Sequence, residues 1–133
     1  YESLLQDYRP VACVLGIGEN GHLAFNDPPA DFKSKNDIQV VELAQSARQQ
    51  QVGEGHFASL EDVPKQAITL TIPTLLRPRH VLAVVPESRK AHAVKAALEG
   101  PISPDCPASI LQSQDHVALY LDQESASLLD LPG

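Results

Sequence analysis

Residues 15–28 read Leu15-Gly16-Ile17-Gly18-Glu19-Asn20-Gly21-His22-Leu23-Ala24-Phe25-Asn26-Asp27-Pro28, and this stretch decides the fold. It follows an apolar run from Val11 to Leu15 that has no polar interruption, which predicts a buried strand. Glycines at positions 16, 18 and 21 end the run. Glycine lets the backbone take positive φ and approach a ligand closely. His22, Asn26 and Asp27 follow at once. Open α/β sheets bind ligands beyond the carboxyl ends of their strands, so titratable groups on such a loop have the layout of a catalytic loop.

Outward from this loop, strands and helices alternate. Ile38 to Leu43 alternates as a second strand, and Gln45 to Val52 suits a helix that Gly53-Glu54-Gly55 breaks. Ala67–Ile72 reads as a strand, Pro73 to Leu76 as a short helix ended by Arg77-Pro78-Arg79, and His80–Val85 as a buried strand. Ser88 is placed to cap a helix to Glu99, with Ala91, Val94, Ala97 and Leu98 on one face and Gly100-Pro101 beyond its end. A helical turn over Ala108–Gln112, a strand over His116–Leu121 and a helix over Glu124–Asp130 complete the order, after a short helix end at Glu2 to Tyr8. The alternation predicts an α/β fold with a mostly parallel, doubly wound, Rossmann-like sheet.

The composition sets outer bounds. The 133 residues are one domain's worth of chain, and 43% hydrophobic with 20% charged residues is ordinary for a globular protein. A net charge of −7 with no basic stripe argues against a nucleic-acid partner. No apolar run approaches the ~20 residues that span a bilayer, so no membrane partner is expected. The two cysteines are too few for a disulfide framework and fit a reducing cytoplasm. Cys13 reads as a small core residue, and Cys106 lies between two prolines in a loop.

Gly16-Ile17-Gly18-Glu19-Asn20-Gly21 also matches G-x-G-x-x-G, with Glu42 about 20 residues beyond the last glycine, as in dinucleotide sites. That fingerprint needs a continuous helix opening at the third glycine. Asn26-Asp27-Pro28-Pro29 stops any helix after about a turn and a half, because proline removes a donor and clashes with the previous turn. No nicotinamide cofactor is expected.

His22 is the leading catalytic candidate. A lone loop histidine is ordinarily bonded to backbone, but this one stands at a strand end with Asn20 and Asp27 close in sequence. Imidazole titrates near neutrality, and a neighbouring carboxylate can fix its tautomer. Asp27 has the alternative of an Asx turn before Pro28. Asn20 cannot titrate, so it can only orient His22, bind a hydroxyl or cap the loop. Gly18 and Gly21 are candidates for close substrate contact. Lys90 lies at the start of the Ser88–Glu99 stretch, where free N–H groups and partial positive charge favour a phosphate. His80, His92 and His116 are scattered singly without metal-ligand spacing, so no metal is expected, and Arg77 and Arg79 read as solvated.

The segment from Leu15 to Pro29 resembles the active-site segment of the glucosamine-6-phosphate deaminases (also called isomerases), whose pattern runs roughly LGIG-x-[ND]-GH-[IL]-x-FNEP. The likeness continues through Val63–Leu76, Glu87–Pro101 and Cys106–Leu111 in the family's order, and so covers about Pro10 to Leu121. The related 6-phosphogluconolactonases share a glycine-rich GH segment but typically lack the tail that Phe25 to Pro28 supply. The resemblance implies a sugar-phosphate isomerase type of fold and an enzyme that converts glucosamine 6-phosphate and water to fructose 6-phosphate and ammonia without a cofactor. The residue matching His22 moves a proton between ring oxygen and anomeric hydroxyl, supported by those matching Asp27 and Asn20, and the residue matching Lys90 binds phosphate. A lactone hydrolase of the same fold and a non-catalytic sugar-phosphate sensor are the alternatives.

The chain departs from the pattern in three places. Asp27 stands where glutamate is usual and is one methylene shorter, so its carboxylate is expected to stop short of His22 unless the loop moves inward or a water bridges. Gly53-Glu54-Gly55-His56-Phe57 replaces a segment with a phosphate-binding arginine; Arg48 matches a different arginine upstream, and His56 is a partial stand-in. Gln39 and Val41 replace effector-binding basic residues, so no activation by N-acetylglucosamine 6-phosphate is expected. In the resembled family the glycine-loop strand lies near the middle of a longer chain. Residues 1–133 therefore read as the carboxyl-terminal half of a larger domain, expected to be inactive alone because the family's C2 base comes from the amino-terminal half. Members of the family differ in oligomeric state, so a homo-oligomer is compatible with the likeness.

Overall fold

Three largely apolar runs, Ala12–Leu15, His80–Val85 and Val117–Leu121, followed by glycine, proline and aspartate in turn, set the framework of the chain. The computed structural model describes residues 1–130. In chain order the elements are α1 (Glu2–Asp7), β1 (Ala12–Leu15), β2 (Ile38–Glu42), α2 (Gln45–Gly53), β3 (Gln66–Leu70), α3 (Ile72–Leu76), β4 (His80–Val85), α4 (Ala91–Glu99) and β5 (Val117–Leu121). Two 3₁₀ segments, Ser88–Lys90 and Pro107–Ser113, lie before and after α4.

The central sheet is parallel, in the order β1-β4-β5, with Leu15 beside Ala83 and Ala83 beside Leu119. Its order places the glycine loop, which leaves β1, beside the turn that leaves β4. Val81, Ala83 and Val85 join Leu15 with Ala93, Val94 and Ala97 of α4 and with Ala108 and Leu111 in one core. Val81 and Val94 are fully buried, and each contributes roughly 1.5–3 kcal/mol relative to an exposed side chain.

Only one face of this sheet is covered among the described residues. Val11, Val14, Val84 and Tyr120 are exposed, with Val14 at 69% and Tyr120 at 56%. The expectation of a fully buried first strand is therefore corrected: β1 alternates, and only Leu15 is buried. An apolar run shows that a strand suits burial on both faces, but not that both are covered.

The second correction concerns β2 and β3. They pair with each other in an antiparallel sheet of their own, with Val40 opposite Ile68 and Gln39 opposite Thr69, and do not join the parallel sheet. Alternation with one solvated face is the antiparallel signature, and Val40 and Ile68 are indeed both exposed.

Three local readings also change. Ser88 makes no capping bond; the segment opens with Glu87 at φ 83 and a 3₁₀ turn, so Lys90 sits at the N-cap of α4. The Asp122 carboxylate accepts the Glu87 N–H at 3.0 Å and provides the anchor there. Residues 123–128 form turns where a terminal helix was expected. Arg77 is not simply solvated but pairs with Asp37, whose carboxyl it holds below the usual range.

Candidate active site

The glycine loop folds back on itself before it reaches His22. The Gly18 N–H donates to the His22 carbonyl at 3.0 Å, and the Gly21 N–H donates to the Gly18 carbonyl at 2.9 Å. Gly21 has φ 84, and a side chain there would also press on the Cys106 sulfur. Gly18 is required for another reason: a Cβ at this position would lie 2.1 Å from Cε1 of His22. The imidazole rests on the space that glycine leaves open. Both glycines thus shape the loop, and their N–H groups are engaged within it.

Asn20 connects the other two polar groups of the loop. Its side-chain oxygen lies 2.7 Å from His22 Nδ1 and accepts the His22 backbone N–H at 3.0 Å. Its amide nitrogen donates to Asp27 Oδ1 at 3.2 Å and to the Ser46 hydroxyl at 3.3 Å. Because the amide nitrogen faces the carboxylate, the amide oxygen faces the ring, and Nδ1 must be the protonated nitrogen. In the neutral ring this leaves the lone pair on Nε2.

Asp27 Oδ1 stands 3.4 Å from His22 Nδ1, too long for a normal hydrogen bond, with the two side chains 9% and 13% exposed. The short aspartate does stop short of the imidazole, and Asn20 carries the connection. The other carboxylate oxygen accepts the Ala44 N–H at 2.8 Å, just before α2. Burial pushes the Asp27 pKa up, but the opposing effects of His22, the Ala44 N–H and Asn20 outweigh it and hold the acid below its ordinary value. The loop after His22 contains no helix; Ala24 has φ 52 and Leu23 bridges to Asn26. The dinucleotide fingerprint therefore lacks the helix it needs.

Sequence reasoning assigned no role to Asn26, which is 3% exposed. Its amide donates to the carbonyls of Leu23 and Leu70, and its oxygen accepts from Gln39. The Thr69 hydroxyl accepts the Phe25 N–H. The antiparallel sheet thereby anchors the glycine loop. The only signal in sequence was the position of Asn26 inside the Phe25–Pro28 tail. A cavity of about 410 Å³ lies beside Asp27, lined by Phe25, Asn26, Gln39, Val41 and Ala44. A larger one of about 580 Å³ lies at the amino end of β1, against Leu5, Pro10 and Ala12, and does not include the loop.

Of the cationic candidates only Lys90 stands after β4, and it is joined there by Arg89, which sequence reading gives as a surface charge. Lys90 is buried, and this desolvation lowers its pKa, while the carboxylates of Glu54, Glu19 and Glu87 pull the other way and Arg89 reinforces it. Arg89 pairs with Glu87 at 2.6 Å and with Glu19 and Glu54 at 3.4 Å. Gln50 of α2 joins this group to the loop: its oxygen accepts the Glu19 N–H at 3.1 Å and its nitrogen donates to Glu54 at 2.8 Å. His56 also reaches Glu54, at 3.5 Å. Arg48 lies apart from this group, donating to the carbonyls of Leu60 and Val63 as a clip on the loop before β3. Sequence reasoning missed Glu54, Gln50 and Ser46 because pairing across distant segments leaves no local pattern.

Fold and site together define an α/β protein in which a loop joining His22, Asn20 and Asp27 leaves a parallel strand beside the turn that holds Arg89 and Lys90. The family model for glucosamine-6-phosphate isomerases/6-phosphogluconolactonase matches residues 1–120, and the chain belongs to that family. It is 43% identical over 129 residues to a glucosamine-6-phosphate deaminase of Exiguobacterium sibiricum, covering 97% of this chain and 50% of that protein. A deaminase of Bacillus cereus is 44% identical over 128 residues, covering 96% and 47%. A solved monomeric glucosamine-6-phosphate deaminase superposes with a TM-score of 0.87 at 39% identity, covering 97% and 52%. A 6-phosphogluconolactonase of Trypanosoma brucei shares the fold at TM-score 0.68 and 21% identity. The chain thus spans about half the length of these relatives. No helix among the described residues is long and apolar enough to cross a membrane.

Proposed function

We propose that the protein carrying this chain is a glucosamine-6-phosphate deaminase, converting glucosamine 6-phosphate and water to fructose 6-phosphate and ammonia. The observation that carries this reading is the Asp27–Asn20–His22 relay at the carboxyl end of β1. Ionised Asp27 orients the Asn20 amide, the Asn20 oxygen fixes Nδ1–H, and Nε2 takes the proton from the anomeric hydroxyl and returns it to the ring oxygen. The pyranose opens without any net change of protons. Opening exposes C1 as a carbonyl and makes the C2 proton acidic; its removal is assigned to none of the side chains described above. Lys90 is the phosphate ligand, a buried cation at the N-cap of α4. The deaminase relatives support the substrate, and nothing in the geometry favours a lactone. The free thiols of Cys13 and Cys106 suit a cytoplasmic enzyme.

The test supplies glucosamine 6-phosphate to the protein that carries this chain and follows fructose 6-phosphate and ammonia together, with His22→Ala alongside. Release of both products in equal amounts, lost in the variant, is expected. Substrate that protects the protein against heat without being converted would favour a sensor.

A further inference from the structure

Three carboxylates surround the two cations after β4, and they are not held alike. Glu87 and Glu19 reach Arg89 from side chains that are 56% and 44% exposed, free to swing into solvent. Glu54 is only 19% exposed. It is the C-cap residue of α2, followed by Gly55 at φ 79, and Gln50 donates to one of its oxygens while His56 faces the other. The Gln50 oxygen in turn accepts the N–H of Glu19, next to Asn20 of the relay. Glu54 is thus a fixed negative charge in a place that otherwise suits an anion.

We propose that Glu54 limits the anion affinity of the Lys90–Arg89 site, acting as a built-in carboxylate with which a substrate phosphate must compete. This rests on the reading of Lys90 as the phosphate ligand. Arginine grips phosphate best through two parallel N–H bonds, yet all three nitrogens of Arg89 face carboxylates here. Glu87 and Glu19 can rotate away when a dianion arrives. Glu54 cannot do so without breaking its bond to Gln50. Like charges brought together in a partly buried site repel strongly. Glu54 is therefore the specificity-determining residue: it favours ligands whose remaining contacts can overcome the repulsion and disfavours free phosphate.

The experiment measures binding of inorganic phosphate to the protein that carries this chain by ³¹P line broadening and calorimetry, for wild type, Glu54→Gln, Glu54→Ala and the double variant Glu54→Gln/Lys90→Gln. The glutamine keeps side-chain length and can still accept from Gln50, while only the charge is lost. Both Glu54 variants, checked as folded by circular dichroism, are expected to bind phosphate at least about fivefold more tightly, roughly 1 kcal/mol. The gain should vanish in the double variant. Equal affinity in wild type and both Glu54 variants overturns the proposal, as does a gain that survives loss of Lys90, or no binding by any variant. No turnover is measured, so these outcomes are distinguishable from a failure of the deaminase reading.

Discussion

The His22 relay and the Lys90–Arg89 cluster lie at the same edge of the parallel sheet and are built on opposite principles. Around His22 the groups are nearly enclosed, and Asn20 joins the ring and the carboxylate through contacts of 2.7 and 3.2 Å. Around Arg89 two of the three carboxylates, Glu19 and Glu87, are exposed, and two of its three ion pairs are at 3.4 Å. The first arrangement depends on the length and direction of each group, so one displaced atom breaks it. The second depends on net charge, so it adapts to position but responds to any change of sign. Proton transfer needs the first kind of site, and holding a mobile anion needs the second.

The largest expected effect would test the division of labour directly. His22→Ala should lower kcat by about 10²–10⁴-fold, the ordinary worth of a positioned acid/base, whereas Lys90→Ala should act mainly by raising KM. Steady-state kinetics on both variants checks this, and a His22→Ala protein with near-normal kcat breaks the comparison. Next comes Gly18→Ala, whose added methyl would overlap the imidazole. Displacing the ring by about 1 Å should cost on the order of 10²-fold in kcat, while the circular dichroism spectrum stays unchanged.

Asp27 sharpens the contrast through pH. Its folded pKa lies below the ordinary value of 3.8, so folding favours the ionised form. The stabilisation is complete above about pH 4 and is lost as the pH falls through the lower folded value. Asp27→Asn should abolish this part of the acid loss, read as urea midpoints of both proteins between neutral and acid pH. The smallest effect is a null one. Gln39 is engaged with Asn26 and Val41 is apolar, so N-acetylglucosamine 6-phosphate should leave the substrate saturation curve unchanged.

Much of the framework was legible beforehand. The strand expected at His80–Val85 forms with those bounds, and the helix expected from Ser88 to Glu99 starts at Ala91 and buries Ala91, Val94 and Ala97, with Leu98 half-buried. Local periodicity and turn residues encode such elements. What was illegible depended on partners distant in sequence. Nothing near Val14 says that the face it occupies lies open, and nothing near Ile38 says that β3 pairs with it antiparallel. Ser88 had the chemistry of a cap, but Glu87 is anchored by Asp122, 35 residues away, and the backbone turns there.

The site divides along the same line. By itself, the sequence determined which groups stand on the glycine loop and that prolines deny it a helix, because these depend on residue type and near neighbours. Only the tertiary structure decided how they connect. A carboxylate one methylene short reaches its histidine through the Asn20 amide, and a glutamate of α2's cap comes to rest beside cations 35 residues further on. Distances of a few tenths of an ångström govern hydrogen bonds, and only packing between segments far apart in the chain sets them.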